Sequence, residues 1–381
     1  MSGNSGLTGM TPVGLSRAPD RPGIDFPGKL PQMPNVEHEI LRSLFRCLAP
    51  DGKVDIGLFF EDHVTLVARY HRLSSLLGSL RTDGVPARLA ERFRQDHISA
   101  LGRNTFLRHA LCDCIRLLQG HGIEAIVLKG LAYEERLYTR PGSRPTSDVD
   151  LLVPARHRRA AFEALHAAGW TPVAAAPGFD EPDYHEVEWT RNDVYLDLHF
   201  ALAPLPRCGI DYDELWAGKL PMRLDEVDAF RLADTHAAVY HVLHMAIHHF
   251  DVPGLYLVDL ARMVTNDAEF AAVGVLAQRW RCLRPWQTSV ILTAYFLPWW
   301  PLAAAANRFA GDAVSGRIVE GFGTVTGLPR ASQLRRKLEH FDVASDAARY
   351  LFQQGRRIVR EAAMRRLTSR SPEERLGFRK P

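Results

Sequence analysis

Asp148-Val149-Asp150-Leu151-Leu152-Val153 is the stretch that decides the fold. It reads as a short buried strand with an acid at its start and a second acid two residues on. Side chains two apart on a strand face the same way. Asp148 and Asp150 therefore share one face, while Val149 points into the core. Just upstream, residues 124–128 form an apolar run suited to a strand, followed by Lys129-Gly130 and a short helix to Tyr138. The loop 139–147 then leads into the acidic strand. Pro154 suits the first turn of a helix that ends at Gly169. Further on, residues 186–191 and 194–200 read as a hairpin across Asn192-Asp193. In its second strand, Val194, Leu196, Leu198 and Phe200 share one face; Tyr195, Asp197 and His199 share the other. Strand, helix, strand, helix and strands in that order predict a compact α/β (α+β) unit with a small mixed sheet.

On either side the period changes to that of helices. Leu107, Ala110, Leu111, Cys114 and Leu118 follow helical spacing, stopped by Gly120 and Gly122. Beyond about residue 230 the pattern is helical again, with candidates at 233–250, 254–265, 270–280, 285–297 and 343–366. The expected organisation is a disordered leader (1–35), an N-terminal helical region (36–122), the α/β core (123–230), a C-terminal helical region (231–367) and a basic tail (368–381).

The chain has 381 residues, 46% hydrophobic and 24% charged, which is globular usage. A net charge of +3 does not by itself point to nucleic acid. Arg356, Arg357, Arg360, Arg365, Arg366 and Arg370 read as a solvated helix face before a nucleic-acid contact. Five cysteines without a CxxC pair exclude a disulfide framework and a zinc ribbon, and fit a reducing cytoplasm. Residues 287–306 carry no charge, but Pro298 and Pro301 interrupt them. They read as a buried helix ending near the prolines, and no stable membrane insertion is expected.

Acids gathered on one polar face are costly unless something neutralises them, and a divalent cation is the usual solution. Mg²⁺ prefers carboxylate oxygens and substrate phosphates. Two ions could clamp both oxygens of a phosphoryl displacement. The plainer alternative is that these aspartates end strands and cap turns. Lys129-Gly130, at a strand-to-helix junction, offers backbone N–H groups and a point charge to phosphate. Arg144 offers a forked donor. His236, His241, His244, His248 and His249 crowd one helix; His244 and His248 share a face. Packing, or a polar edge toward a cleft, is the better reading than a metal site, since Met245 stands where a zinc protease helix carries glutamate. Asp259 reads as a structural ion pair, with Arg262 or a histidine as partner.

Taken together, Leu128-Lys129-Gly130, Arg144 through Val153 and Asp197-Leu198-His199 resemble a bacterial group of uncharacterised nucleotidyltransferases, within the superfamily related to DNA polymerase β. The resemblance covers roughly residues 40–265. It implies that Asp148 and Asp150 bind metal, two Mg²⁺ or Mn²⁺ ions, and that Asp197 completes the catalytic metal site. It implies transfer of a nucleoside monophosphate from a triphosphate, ATP first among them, to an acceptor hydroxyl with release of pyrophosphate. Lys129, Gly130, Arg144 and Ser147 are the expected nucleotide contacts, and His199 an orienting neighbour of Asp197. The wider superfamily has Gly-Ser where this chain has Lys129-Gly130, so the phosphate-binding serine is missing. The acceptor (small molecule, sugar phosphate, protein or RNA) is not written in the sequence. Alternative readings are a non-catalytic nucleotide-binding protein and a toxin–antitoxin component. Replacing Asp148, Asp150 or Asp197 by Ala is expected to abolish transfer and keep the fold, with relief of like-charge crowding favouring thermal stability when no metal is bound.

Overall fold

The structure is a computed structural model that describes residues 34–50, 56, 59–80, 84–173, 184–204, 208–309, 313–322, 338–352 and 355–356. The expected leader, except for its last two residues, and the basic tail lie outside the described residues, as does half of the helix expected at 343–366. Helices α1 (Pro34–Arg46), α2 (Glu61–Tyr70), α3 (Ser74–Ser79) and α4 (Ala87–Gly120) come first. The sheet region follows: β1 (Ile126–Val127), α5 (Lys129–Leu137), β2 (Val149–Leu152), α6 (Arg158–Ala167), β3 (Thr171–Pro172), β4 (Glu186–Arg191), β5 (Val194–His199), α7 (Tyr212–Ala217), β6 (Leu220–Leu224) and β7 (Val227–Arg231). Then come α8 (Asp234–Ile247), α9 (Leu255–Met263), α10 (Asp267–Arg279), α11 (Leu283–Phe296) and α12 (Ala313–Gly321).

The seven strands form one mixed sheet in the order β3-β4-β5-β2-β1-β7-β6. β2 is central, antiparallel to β1 and parallel to β5. Its alternation works as the sequence predicts. Val149 and Leu151 join Leu196 and Leu198 of β5 and Val187 and Trp189 of β4 in an apolar layer under α4 and α6. Leu107, Leu111, Ile115 and Leu118 of α4 and Phe162 and Leu165 of α6 close that layer. Each such large side chain removed from water stabilises by about 1.5–3 kcal/mol. Leu152, Ile126 and Leu128 face the other way, into a second cluster built with α8, α9 and α11. The polar residues of β2 and β5 lie on this second side, beneath the C-terminal helices.

The hairpin β4–β5 turns on Asn192 (φ 50°) and Asp193 (φ 61°), both in the left-handed region that a two-residue turn of matching twist requires. A second hairpin, β6–β7, and the short strand β3 enlarge the sheet beyond the small one expected. Both escape the eye because β6 contains Pro221 and β3 is two residues long. Helix α11 ends at Phe296, ahead of Pro298, and among the described residues no helix is long and apolar enough to cross a membrane.

The loop between α5 and β2 is held by the N-terminal helices. Asn104 of α4 donates to Glu134 Oε1 (2.7 Å) and to the Arg144 carbonyl (2.8 Å), and accepts from Thr146 N (3.0 Å). Glu134 Oε1 also accepts from Gly142 N at 2.6 Å. Ser75 of α3 donates to the Gly142 carbonyl. The buried Asn104, Glu134 and Ser75 thus each have a partner, as low dielectric surroundings demand.

Candidate functional site

Asp150 of β2 pairs in register with Asp197 of β5 across a parallel ladder. Residues opposite each other in register project to the same face of the sheet. His199, two residues beyond Asp197, comes to that face as well. Asp150, Asp197 and His199 each offer a ligand atom within 4.8 Å of the others, and form the one such group among the described residues. Asp148 lies outside it, in a bend ahead of β2. Its Oδ1 accepts a 3.1 Å hydrogen bond from Ser147 Oγ.

The site carries its own cation. Lys129 Nζ lies 2.8 Å from Asp150 Oδ1, and His199 Nε2 lies 3.2 Å from the same oxygen. The side chains of Asp150 and His199 are only 3% exposed and that of Lys129 12%. Burial alone would push the Asp150 carboxyl up. The Lys129 ammonium and the His199 ring outweigh it and hold Asp150 well below the usual carboxylate range. Burial would likewise lower Lys129; Asp150, ahead of Tyr240, Tyr256 and Asp197, keeps it charged well above its ordinary value. The expectation that losing an aspartate relieves crowding is therefore corrected at Asp150. Removing that carboxylate strands a buried ammonium, which costs stability.

Lys129 reaches this position through an unusual turn. The chain leaves β1 through the extended Leu128, then passes Lys129 (φ 37°) and Gly130 (φ 28°, ψ −108°) before regular helix begins. A Cβ at Gly130 would stand 2.9 Å from Thr146 Cγ2, so the position needs glycine for room as well as for its backbone. Arg144 Nη1 donates to the Gly130 carbonyl at 3.3 Å.

Arg144 itself is not brought to the acidic face. Its guanidinium forms a forked pair with Asp259 of α9, and Tyr138 donates to Asp259 Oδ1 at 2.6 Å. As a direct phosphate contact Arg144 is thus displaced by a buried carboxylate; it supports the Lys129-Gly130 turn from behind. Asp259 is a structural ion pair as expected, but its partner is Arg144. Arg262 instead donates to the Leu137 carbonyl and lies over the Tyr138 ring.

Two neighbours were missed in the sequence. Glu186 pairs in register with His199 across β4–β5, and its Oε2 lies 3.1 Å from His199 Nδ1. Burial opposes ionisation of Glu186, but His185, His199 and Lys129 outweigh it and bring its carboxyl down to about 2. The side chain is 44% exposed, so solvent screens much of this. Tyr240 of α8 lies under Lys129 Nζ, 5.8 Å from its ring centre. The alternation of β4 already put Glu186 on the polar face; only the register shows which residue it meets.

The histidine-rich helix α8 supplies the wall opposite. His241 stacks on Tyr256, whose carbonyl lies 2.9 Å from His241 Nε2, and Tyr256 Oη shares a 3.3 Å hydrogen bond with His244 Nε2. Burial, then the charges of Lys129, His248, His241 and His199, hold His244 well below its ordinary value. Among the described residues these histidines form no metal group of their own.

Two carboxylates and an imidazole beside an ammonium, with Asp150 and His199 buried and Asp197 half-buried, fit a divalent cation. The sequence model of a family described as uncharacterised nucleotidyltransferase matches residues 60–298. The match spans more than half of the chain, and the chain belongs to that family. No curated protein matches it.

Proposed function

From that membership we propose that the protein moves a nucleoside monophosphate from a triphosphate to an acceptor hydroxyl, with ATP as the first donor to test. The acceptor oxygen attacks the α-phosphorus, the bond to the α–β bridging oxygen breaks, and pyrophosphate leaves with that electron pair. Asp150 and Asp197 would hold a divalent cation, Mg²⁺ or Mn²⁺. Bound there, the ion supplies charge neutralisation at the phosphate. Asp197, next to Asp150 on the polar face, helps take the proton from the acceptor hydroxyl. Asp148, held by Ser147 in the bend before β2, would be the residue to join a second ion that arrives with the triphosphate.

With Asp150 engaged by an ion, Lys129 would be left to serve the phosphates as a point charge, from the turn that Gly130 makes possible. Catalysis then rests on positioning and on charges fixed before the substrate arrives. The observation that carries this reading is the register of Asp150 with Asp197, closed by Lys129.

Calorimetry with ATP and the other triphosphates, with and without Mg²⁺ or Mn²⁺, tests it on the wild type and on Asp197→Asn. Metal-dependent binding that the variant loses supports the reading. A folded wild type that binds no triphosphate with either metal, while labelled nucleotide reaches no acceptor in a cell extract, overturns it.

A further inference from the structure

We propose that His199 is itself a metal ligand, and that the centre consequently takes a first-row transition ion such as Mn²⁺ in preference to Mg²⁺. This rests on the metal-dependent reading above and goes beyond it in naming the donor and the ion class. Three observations carry it. First, the group that comes together is Asp150, Asp197 and His199; Asp148 stays outside it. The imidazole stands where an all-carboxylate centre would have a third acid.

Second, His199 Nε2 and Asp150 Oδ1 are 3.2 Å apart. Neighbouring oxygen or nitrogen donors on one ion, with bonds of about 2.1 Å at right angles, are separated by about 3 Å. The two atoms therefore already stand as adjacent ligands of one ion would. Lys129, on the same oxygen at 2.8 Å, is the cation that the metal displaces.

Third, the other ring nitrogen is backed. His199 Nδ1 faces Glu186 Oε2 at 3.1 Å, off the line of a good hydrogen bond. A metal-bound histidine characteristically gives its second N–H to a carboxylate, which fixes the tautomer and makes the ligating nitrogen more basic. Nε2 shares a hydrogen bond with Asp150 Oδ1; an ion taking that place would call for the tautomer with the proton on Nδ1, toward Glu186, leaving the Nε2 lone pair for the ion. A slight turn of the ring onto an ion brings Nδ1–H into line with Glu186. That carboxylate is 44% exposed and thus able to follow.

The preference follows from donor chemistry. Imidazole suits the first-row transition ions, whereas Mg²⁺ favours oxygen donors and keeps its waters. A centre with one nitrogen among two carboxylates penalises Mg²⁺ and still accepts Mn²⁺, which tolerates both. Glu186 is a positioning residue in this scheme, since it acts through the ring.

The test is made on the full chain with Mn²⁺ as probe. Electron spin-echo spectra of the Mn²⁺-loaded wild type are expected to show nitrogen-14 modulation from one imidazole, lost in His199→Gln. Calorimetry should show Mn²⁺ binding at least about tenfold tighter than Mg²⁺, with the preference collapsing in that variant. Glu186→Gln should keep the nitrogen signal and weaken Mn²⁺ by about 10–100-fold. Bound Mn²⁺ without nitrogen coupling in the wild type, or equal affinities for the two ions, overturns the proposal and leaves the function reading standing. If neither ion binds, with or without ATP, both fall together. The wild-type spectrum decides the question even where a variant fails to fold.

Discussion

Arg144, in the loop before β2, and Asp259, on α9, close a forked ion pair inside the protein: Nη2 lies 2.9 Å from Oδ2 and Nε 3.1 Å from Oδ1, with side chains 6% and 0% exposed. Burial opposes the charge on Arg144, and Asp259 outweighs it, holding the guanidinium above its ordinary value. Such a pair is dangerous to break and much less so to remove whole. Asp259→Ala should cost about 3–5 kcal/mol in urea unfolding, because it leaves a buried guanidinium without its counter-ion. Arg144→Met combined with Asp259→Leu should recover a large part of that loss. A single Asp259→Ala protein as stable as the wild type would contradict the pairing.

Lys129 and Asp150 make the same argument with a different outcome. Without metal, Lys129→Met should destabilise by about 3–5 kcal/mol, since it leaves the buried Asp150 carboxylate without its ammonium. Added Mn²⁺ should restore much of that stability and bind the variant more tightly than the wild type, because nothing has to be displaced. Triphosphate binding should weaken. Thermal melts with and without Mn²⁺ read the first effect and calorimetry the others; a variant that Mn²⁺ does not stabilise would speak against competition for Asp150.

Acid should loosen the wall formed by α8. His241 and His244 are held below their ordinary value, by burial first and by neighbouring cations after it. Between its folded and unfolded values such a group binds more protons in the unfolded chain, so stability rises with pH across that window. The contribution is complete above about pH 6.5 and is lost as pH falls below it. Asp150, whose folded value is also depressed, adds a loss in the same direction only below about pH 4. The melting temperature of the metal-free protein should therefore fall between about pH 7 and pH 5. A flat or rising profile would show that the two rings are already protonated in the folded state.

Gly142 is the tightest point of the loop. It adopts φ +81°, and a Cβ there would meet Leu101 Cα at 2.9 Å and Cβ at 2.8 Å on α4. Gly142→Ala should cost about 1–3 kcal/mol. It should also weaken triphosphate binding, because the loop leads directly into β2. A fully stable variant with wild-type binding would mean that the loop gives way freely.

The central strands were legible because each carries a period of two in a few residues: Val149, Leu151, Leu196 and Leu198 turn inward, so Asp150 and Asp197 had to share the other face. The turn at Asn192-Asp193 announced its hairpin by residue type alone. Register was not legible. Nothing in the spacing of Glu186 and His199 says that they meet, since which residue of one strand opposes which of the next depends on the pairing. Long-range pairing also hid Asp259. On its own helix it suggested Arg262, yet its partner lies 115 positions upstream. Asp148 looked equivalent to Asp150 on a perfect strand, but β2 begins at Val149 and the bend before it sets Asp148 apart. Lys129 was singled out for phosphate; that it first serves as the counter-ion of Asp150 needed the Leu128-to-Leu131 turn in three dimensions.

The loop 139–147 is gripped from two directions, by Asn104 of α4 and by Asp259 of α9. The sheet is consequently not a module that can be lifted out. A fragment cut at Gly122 and Arg231 would carry Arg144 and Glu134 without the residues that complete them, and its acidic strand would lose its anchorage at both ends. The helices before and after the sheet are thus part of its scaffold, and any exchange of them would have to keep those two grips.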